Sequence, residues 1–413
     1  MRIDLVQTLL TLSSSLDYAY RGMTDHHHIV TLAALTVGRA LDMAENDLSE
    51  LFKAAIVHDI GAVTWREKES LHEFEVENTK PHCRRGRDFI TGSRFLTSAA
   101  DVLLHHHDRW SGGDPGGLRG DEIPLASRII LVADRLAVLV REGEHILVQR
   151  EAILDRIGSL AGTVLDPGLV DAVREVARPE SFWLDLAGPW RMDRILGLVP
   201  ALQVQGDSED LFELAQVLAT VVDAKSPFTY RHSQGVAVAS RFLADVFGLE
   251  GDKLRTLETA GLLHDLGKLT VPDEILEKPG PLTADEMDWM RQHAYYTYWL
   301  VHPISPHPEI AEWAAFHHER LDGRGYPFGK TGEDLELEHR ILCVADIFTA
   351  LREDRPYRTS LPWAEIETIL SRQVRSGGLD QDVVAALLAE SDALDDIWAD
   401  LSARLAHLCA AAP

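Results

Sequence analysis

At 413 residues with a formal net charge of −26, the chain is long enough for two domains with their own cores and too acidic to coat a nucleic-acid polymer. An anionic ligand must therefore be drawn in by local positive charge, from metal ions or clustered arginines. Three widely spaced cysteines, Cys83, Cys343 and Cys409, exclude a disulfide framework and fit a reducing cytoplasm, and no apolar run reaches membrane-spanning length.

Met1 to Tyr20 carries an apolar run broken by Asp4, Gln7 and several serines, without the pattern of a cleaved leader. Next, Ile29 to Ala44 and Leu48 to Val57 place apolar residues at three- and four-residue intervals, as does Val236 to Phe247 further on, while alternating β-branched runs are scarce. An all-α fold is predicted. Gly and Pro punctuate Gly112 to Gly120, Gly188-Pro189, Pro279-Gly280-Pro281 and Gly323 to Gly332, which read as loops.

The two halves repeat each other at an offset drifting from about 205 to about 215 residues. Thr24-Asp25-His26-His27 answers Thr229-Tyr230-Arg231-His232, and His58-Asp59-Ile60-Gly61 answers His264-Asp265-Leu266-Gly267. His106-His107 answers His317-His318, Ala133-Asp134-Arg135 answers Ala345-Asp346-Ile347, and Leu165-Asp166 answers Leu379-Asp380. The repeat predicts two tandem helical domains related by internal duplication, over 1–200 and 207–413, joined through the polar, acidic stretch Gln203 to Asp210.

In the second half the candidate metal ligands, in chain order, are His232, His264, Asp265, His293, His317, His318 and Asp346. Imidazole and carboxylate without thiolate suit Fe, Mn, Zn, Co or Ni. These groups exceed one tetrahedral site and are enough for two metals sharing the Asp265 carboxylate, a pair about 3.5–4 Å apart being a recurring device for phosphoryl displacement. Adjacent imidazoles on a helix point about 100° apart, so His317 and His318 can serve one cluster only through a second metal or a bent helix end. Asp346 sits in an apolar run and needs a partner or a metal. Lys268, one turn beyond His264, offers an ammonium on the same face for phosphoryl charge, and Arg355 and Arg358 flank Tyr357 as an anion clamp or a surface ion-pairing segment.

The pattern His264-Asp265-Leu266-Gly267-Lys268, then His317-His318 leading to Gly325-Tyr326-Pro327, then Asp346 and Asp354-Arg355-Pro356-Tyr357-Arg358, resembles the HD-GYP subgroup of the HD phosphohydrolases. The resemblance implies a helical domain with an Fe or Mn centre, Mg, Co, Ni and Zn being alternatives, that hydrolyses cyclic dinucleotides such as cyclic di-GMP. It assigns His232, His264, Asp265 and Asp346 to one metal, and Asp265, His293, His317 and His318 to the other. Lys268 becomes the catalytic lysine, and Arg355 and Arg358 the substrate-binding pair. The GYP loop is linked in this subgroup to a signalling-protein partner, and a homodimer is compatible with it. Phe228 replaces the Glu that supports a third metal in some members, so two ions are expected. The stretch around His293 resembles a branch with a duplicated HD domain, some of whose members act on 3',3'-cyclic GMP-AMP. Turnover of other nucleotides, or sensing without turnover, are the competing readings.

The first half resembles an HD domain that keeps His27 (with His26 and His28 as alternates), His58, Asp59, His82, His106, His107 and Asp134 as a second candidate metal site. Ala62 stands where Lys268 stands, the loop shortens to Gly113-Asp114-Pro115, and the arginine pair is missing, which points to a degenerate regulatory or dimerising domain.

Overall fold

The computed structural model describes residues 3–18, 25–71, 79–113, 117–141, 143–199, 205–226, 231–304, 307–353 and 359–409. The described chain is almost wholly helical and forms two compact units, Asp4–Val204 and Gln205–Pro413, the second also taking in Met1–Ile3. Its extended segments, Ile3–Asp4 and Gln205–Gly206, are two residues each. No described helix is long and apolar enough to cross a membrane.

In the first unit the helices His26–Ala40, Glu45–Ile56 and Leu125–Val138 pack together, and Lys80–Ile90 packs against Ala100–His105. The periodicity over Ile29 to Ala44 overruns the real helix, which stops at Ala40; Asp42 adopts φ 53°, a left-handed conformation that no helix continues through. Asp166 caps Pro167–Val176 by accepting from the amides of Gly168 and Leu169. Asp380 does the same for Gln381–Ala389 in the second unit, accepting from Asp382 and Val383.

In the second unit His232–Val246 lies between Asp252–Leu263 and Leu337–Arg352. Val236, Ala239, Leu243, Leu257, Ile341 and Phe348 on these three helices are all fully buried. Each large aliphatic side chain so buried contributes about 1.5–3 kcal/mol. Gly261 permits the close crossing, since a Cβ there would stand 2.7 Å from Ala237 Cα. Thr283 and Glu286 form a reciprocal capping box that starts Ala284–Val301. The start of His232–Val246, the residue just past Asp252–Leu263 and the middle of Ala284–Val301 thereby bring His232, His264 and His293 around Asp265.

Candidate metal centre

Asp265 is the junction of the second unit's site. The helix Asp252–Leu263 ends one residue before His264, and the chain tightens into a 3-10 turn, Leu266–Thr270. Gly267 makes this possible: a Cβ there would be 1.9 Å from the His293 carbonyl oxygen, so only glycine lets the turn rest on Ala284–Val301. Thr297 fastens the contact, accepting from Gly267 N (2.9 Å) and donating to His264 O (2.9 Å). Buried Lys225 holds the far side by donating to the carbonyls of Leu269 (2.8 Å) and Val271 (2.6 Å).

So held, the two carboxylate oxygens of Asp265 face different partners. Oδ2 lies 3.2 Å from His264 Nε2, 3.6 Å from His232 Nε2 and 2.5 Å from Lys268 Nζ. Oδ1 lies 3.5 Å from His293 Nε2 and 3.9 Å from His317 Nε2. Asp346 closes the first side, with Oδ1 3.1 Å from His232 Nε2 and Oδ2 4.0 Å from His318 Nδ1. Three overlapping groups of candidate donor atoms emerge, His232 with His264 and Asp346, His264 with Asp265 and His317, and His293 with His317 and the partly exposed His318; within each, the atoms lie within 4.8 Å of one another. The seven candidate ligands and Lys268 therefore meet in one pocket. Lys268 arrives on the 3-10 turn, because the helix stops before His264 and the shared helical face expected for the two does not exist.

The helix Pro308–Ala315 likewise stops short of His317-His318, and the bend beyond it brings the two rings to 4.0 Å between centroids. Three of the candidate ligand imidazoles are oriented by the carbonyl three residues earlier: Nδ1 of His264 meets Gly261 O at 2.7 Å, of His293 Met290 O at 2.5 Å, and of His317 Ala314 O at 2.6 Å. A donating Nδ1–H leaves Nε2 as a lone-pair donor aimed into the pocket. His232 differs, because its Nδ1 meets the carboxylate of Glu353 at 3.1 Å.

Electrostatics follow this arrangement. Burial lowers His293 to about 3 and His318 to about 4, the latter against the pull of Asp346, so both are neutral imidazoles at neutral pH. Burial opposes charge on His232 as well, but Glu353 and Asp346 overcome it and raise the group to about 10. Burial also works against a charged Asp265, yet His264 and Lys268 hold it well below the usual carboxylate range. His264 Nε2 and Asp265 Oδ1 are buried without a hydrogen bond. Such groups are costly in a core unless a cation completes them, so the donor set fits a metal pair with Asp265 shared.

The loop that follows is tied to the site. Glu319 accepts from Phe328 N (2.7 Å) and Lys330 N (3.0 Å), Tyr326 N donates to His318 O (3.2 Å), and the Tyr326 ring lies 4.8 Å from that of His318. Gly325 is required there, as a Cβ would come 2.4 Å from Glu319 Cα. The sequence reading tied this loop to partners and did not place Tyr326 against a ligand. Glu353 was also missed as a contributor; the available signal was its spacing of seven from Asp346, two helical turns along one face. Arg355, Arg358 and Phe228 lie outside the described residues, as do Asp114 and Pro115 of the shortened first-half loop.

The first unit repeats much of this geometry. Asp59 Oδ1 lies 3.3 Å from His82 Nε2 and 3.4 Å from His106 Nε2, and its Oδ2 lies 3.4 Å from His58 Nε2. Gly61 rests on the His82 carbonyl, where a Cβ would be 2.0 Å away. One expectation is corrected: His26, not His27, takes the position of His232. Each is the first residue of its helix, and His26 Nε2 stands 3.3 Å from Asp134 Oδ1, grouped with His58 and Asp59. His27 turns its Nδ1 to Asp17, and its amide donates to the same carboxylate, as the Ser233 amide does to Asp223.

Comparison with known proteins agrees with this duplication. The HD domain family model matches residues 11–167 and again 216–383. The 3'3'-cGAMP-specific phosphodiesterase 1 of Vibrio cholerae is 32% identical over 398 residues, 94% of this chain and 92% of that protein. The cyclic di-GMP phosphodiesterase response regulator RpfG of Xanthomonas campestris is 36% identical over 49% of this chain and 52% of its own length. Among solved structures, the cyclic GMP-AMP phosphodiesterase V-cGAP3 of V. cholerae superposes with a TM-score of 0.64 at 26% identity, covering 95% of this chain and 98% of that one.

Proposed function

We infer that this chain, which belongs to the HD domain family, is a metal-dependent phosphodiesterase that opens cyclic dinucleotides at its second unit. The observation that carries the reading is Asp265, one buried carboxylate whose two oxygens serve two separate imidazole groups while Lys268 stands 2.5 Å from one of them. HD-domain phosphohydrolases are metal-dependent, and the donor set suits two divalent ions, Fe or Mn, held by His232, His264, Asp265 and Asp346 and by Asp265, His293, His317 and His318. When bound, such a pair supplies an activated water and neutralises charge on the phosphoryl oxygens.

The chain's own residues do the rest. Nδ1 contacts to backbone carbonyls fix His264, His293 and His317 so that Nε2 faces the pocket, and Glu353 places negative charge behind His232. Lys268 lies at the pocket edge, 19% exposed, where its ammonium meets the charge that develops on phosphate or on the departing ribose oxygen. Arg355 and Arg358 are assigned to the phosphates and bases by the motif alone.

The choice of base is favoured toward 3',3'-cyclic GMP-AMP. A relative matched along nearly its whole length is named for that substrate, whereas the cyclic di-GMP relative RpfG matches over about half. The test is purified protein loaded anaerobically with Mn2+ or Fe2+, given cyclic GMP-AMP, cyclic di-GMP and mononucleotides, with products resolved by chromatography. Linear dinucleotide is expected, faster from cyclic GMP-AMP. Both cyclic dinucleotides left intact, or mononucleotide turnover alone, would overturn the reading.

A further inference from the structure

The first unit is not a simple remnant of the second, because one side of its pocket keeps a full donor set and the other carries a new buried positive charge. Asp59, His82, His106 and His107 are buried, and their donor atoms lie within 4.8 Å of one another, four ligands converging where the second unit offers His293, His317 and His318 around Asp265. His107 Nε2 is buried and makes no hydrogen bond. His106 is oriented as its counterpart is, with Nδ1 2.6 Å from the carbonyl three residues earlier. The Cys83 thiol, 3.6 Å from His82 Nε2, adds a soft donor at the margin, where the second unit has Ala294.

The opposite side is altered. Asp134 has beside it Arg135, where the second unit has Ile347 after Asp346. The guanidinium is buried and donates from Nε (3.1 Å) and Nη2 (2.7 Å) to Asp134 Oδ2. The donor group around His26 and His58 includes Asp59, while Asp134 keeps only Oδ1 toward His26 (3.3 Å) because Oδ2 is taken up by Arg135. A cation there would meet a carboxylate already neutralised by Arg135 and the repulsion of that fixed positive charge close behind it.

We propose that the first unit binds one divalent transition-metal ion through Asp59, His82, His106 and His107, and that Arg135 takes the electrostatic place of the second. The three-nitrogen, one-oxygen set and the neighbouring thiol suit zinc, with manganese or iron as weaker occupants. With one ion and Ala62 in place of a lysine, this site holds its metal without the two-ion arrangement used for phosphodiester displacement.

The test counts metal per chain in the full-length protein, without substrate, so its outcome does not depend on the second unit's activity. Protein equilibrated with Zn2+, and separately with Mn2+, is desalted and analysed by mass spectrometry of the metals. Asp59→Asn is expected to lower the Zn2+ count by one relative to the unmutated chain, and Arg135→Ile to raise it by one. His107→Ala, which removes one of the four donors and leaves the Asp59 carboxylate in place, must weaken one ion by tenfold or more in chelator competition, which covers the case in which Asp59→Asn fails to fold. A loss of two ions in Asp59→Asn, no weakening in His107→Ala, or an unchanged count in a folded Arg135→Ile protein would each overturn the proposal.

Discussion

Replacing Glu353 by Gln isolates what sets His232 apart from His264, His293 and His317, whose Nδ1 atoms meet backbone carbonyls. Glu353 Oε2 lies 3.1 Å from His232 Nδ1, and His232 Nε2 lies 3.1 Å from Asp346 Oδ1, so the imidazole links a carboxylate behind it to the metal pocket in front. Glutamine keeps the volume and an acceptor oxygen and removes only the charge. Outer carboxylates of this kind are worth about 10–100-fold in metal affinity, and at about 1.4 kcal/mol per tenfold the change amounts to roughly 1.4–2.7 kcal/mol. The loss should fall on one ion of the pair, since His293 and His317 are oriented by backbone carbonyls and do not touch Glu353. Competition with a fluorescent chelator, read as two successive affinities, makes the distinction. Glu353→Gln should weaken one step and spare the other, with the melting temperature of the metal-stripped protein little changed. Equal weakening of both ions, or of neither, would refute the assignment of Glu353 as the residue that positions and charges His232.

Asp265→Asn removes the charge shared by both ligand groups and should lower hydrolysis by on the order of 10³-fold while releasing at least one ion, measured by metal analysis beside the rate. Undiminished activity would transfer catalysis to the other unit. Lys268→Met should retain the metals and lower kcat by about 10²–10³-fold with little change in KM; a change confined to KM would make Lys268 a binding group only. Gly267→Ala forces a methyl to within 1.9 Å of the His293 carbonyl. The strain should cost about 1–3 kcal/mol and, at about 2–4 °C per kcal/mol, lower the second unit's melting temperature, together with activity, because the displaced turn carries Asp265 and Lys268.

The helical class and the gathering of histidines were legible because both rest on spacing: apolar residues at helical intervals, and His and Asp in the same order twice along the chain. What spacing could not convey was where each helix starts and stops. Three consecutive histidines at 26–28 left the register open, and only the helix start at His26, with Asp17 engaging the next residue, assigns them. The same blindness put Lys268 on a helix that ends at Leu263. Glu353 was hidden by its neighbours, since an acid next to an arginine-rich segment reads as a surface ion pair until the fold turns it onto His232. Arg135 was visible as a substitution, but not that its guanidinium folds back onto the adjacent carboxylate.

These hidden residues share a feature that bears on how one duplicated scaffold can hold two different sites. The parts that set geometry occur in both copies: Gly61 and Gly267 rest on a histidine carbonyl at nearly the same distance, and His106 and His317 each turn Nδ1 to the carbonyl three residues back. The parts that set charge do not. Lys268 corresponds to Ala62, Ile347 to Arg135, and Glu353 to Arg141, whose side chain is 65% exposed and paired with Glu144. A pocket whose walls are fixed by backbone contacts can lose or gain a charged side chain at its rim without repacking, because His106, His264, His293 and His317 are held by carbonyls that no substitution removes. Metal number and reactivity can then vary while the fold stays constant. This is why the competence of each unit is better judged from residues 62, 135 and 141 against 268, 347 and 353 than from the histidines that both units retain.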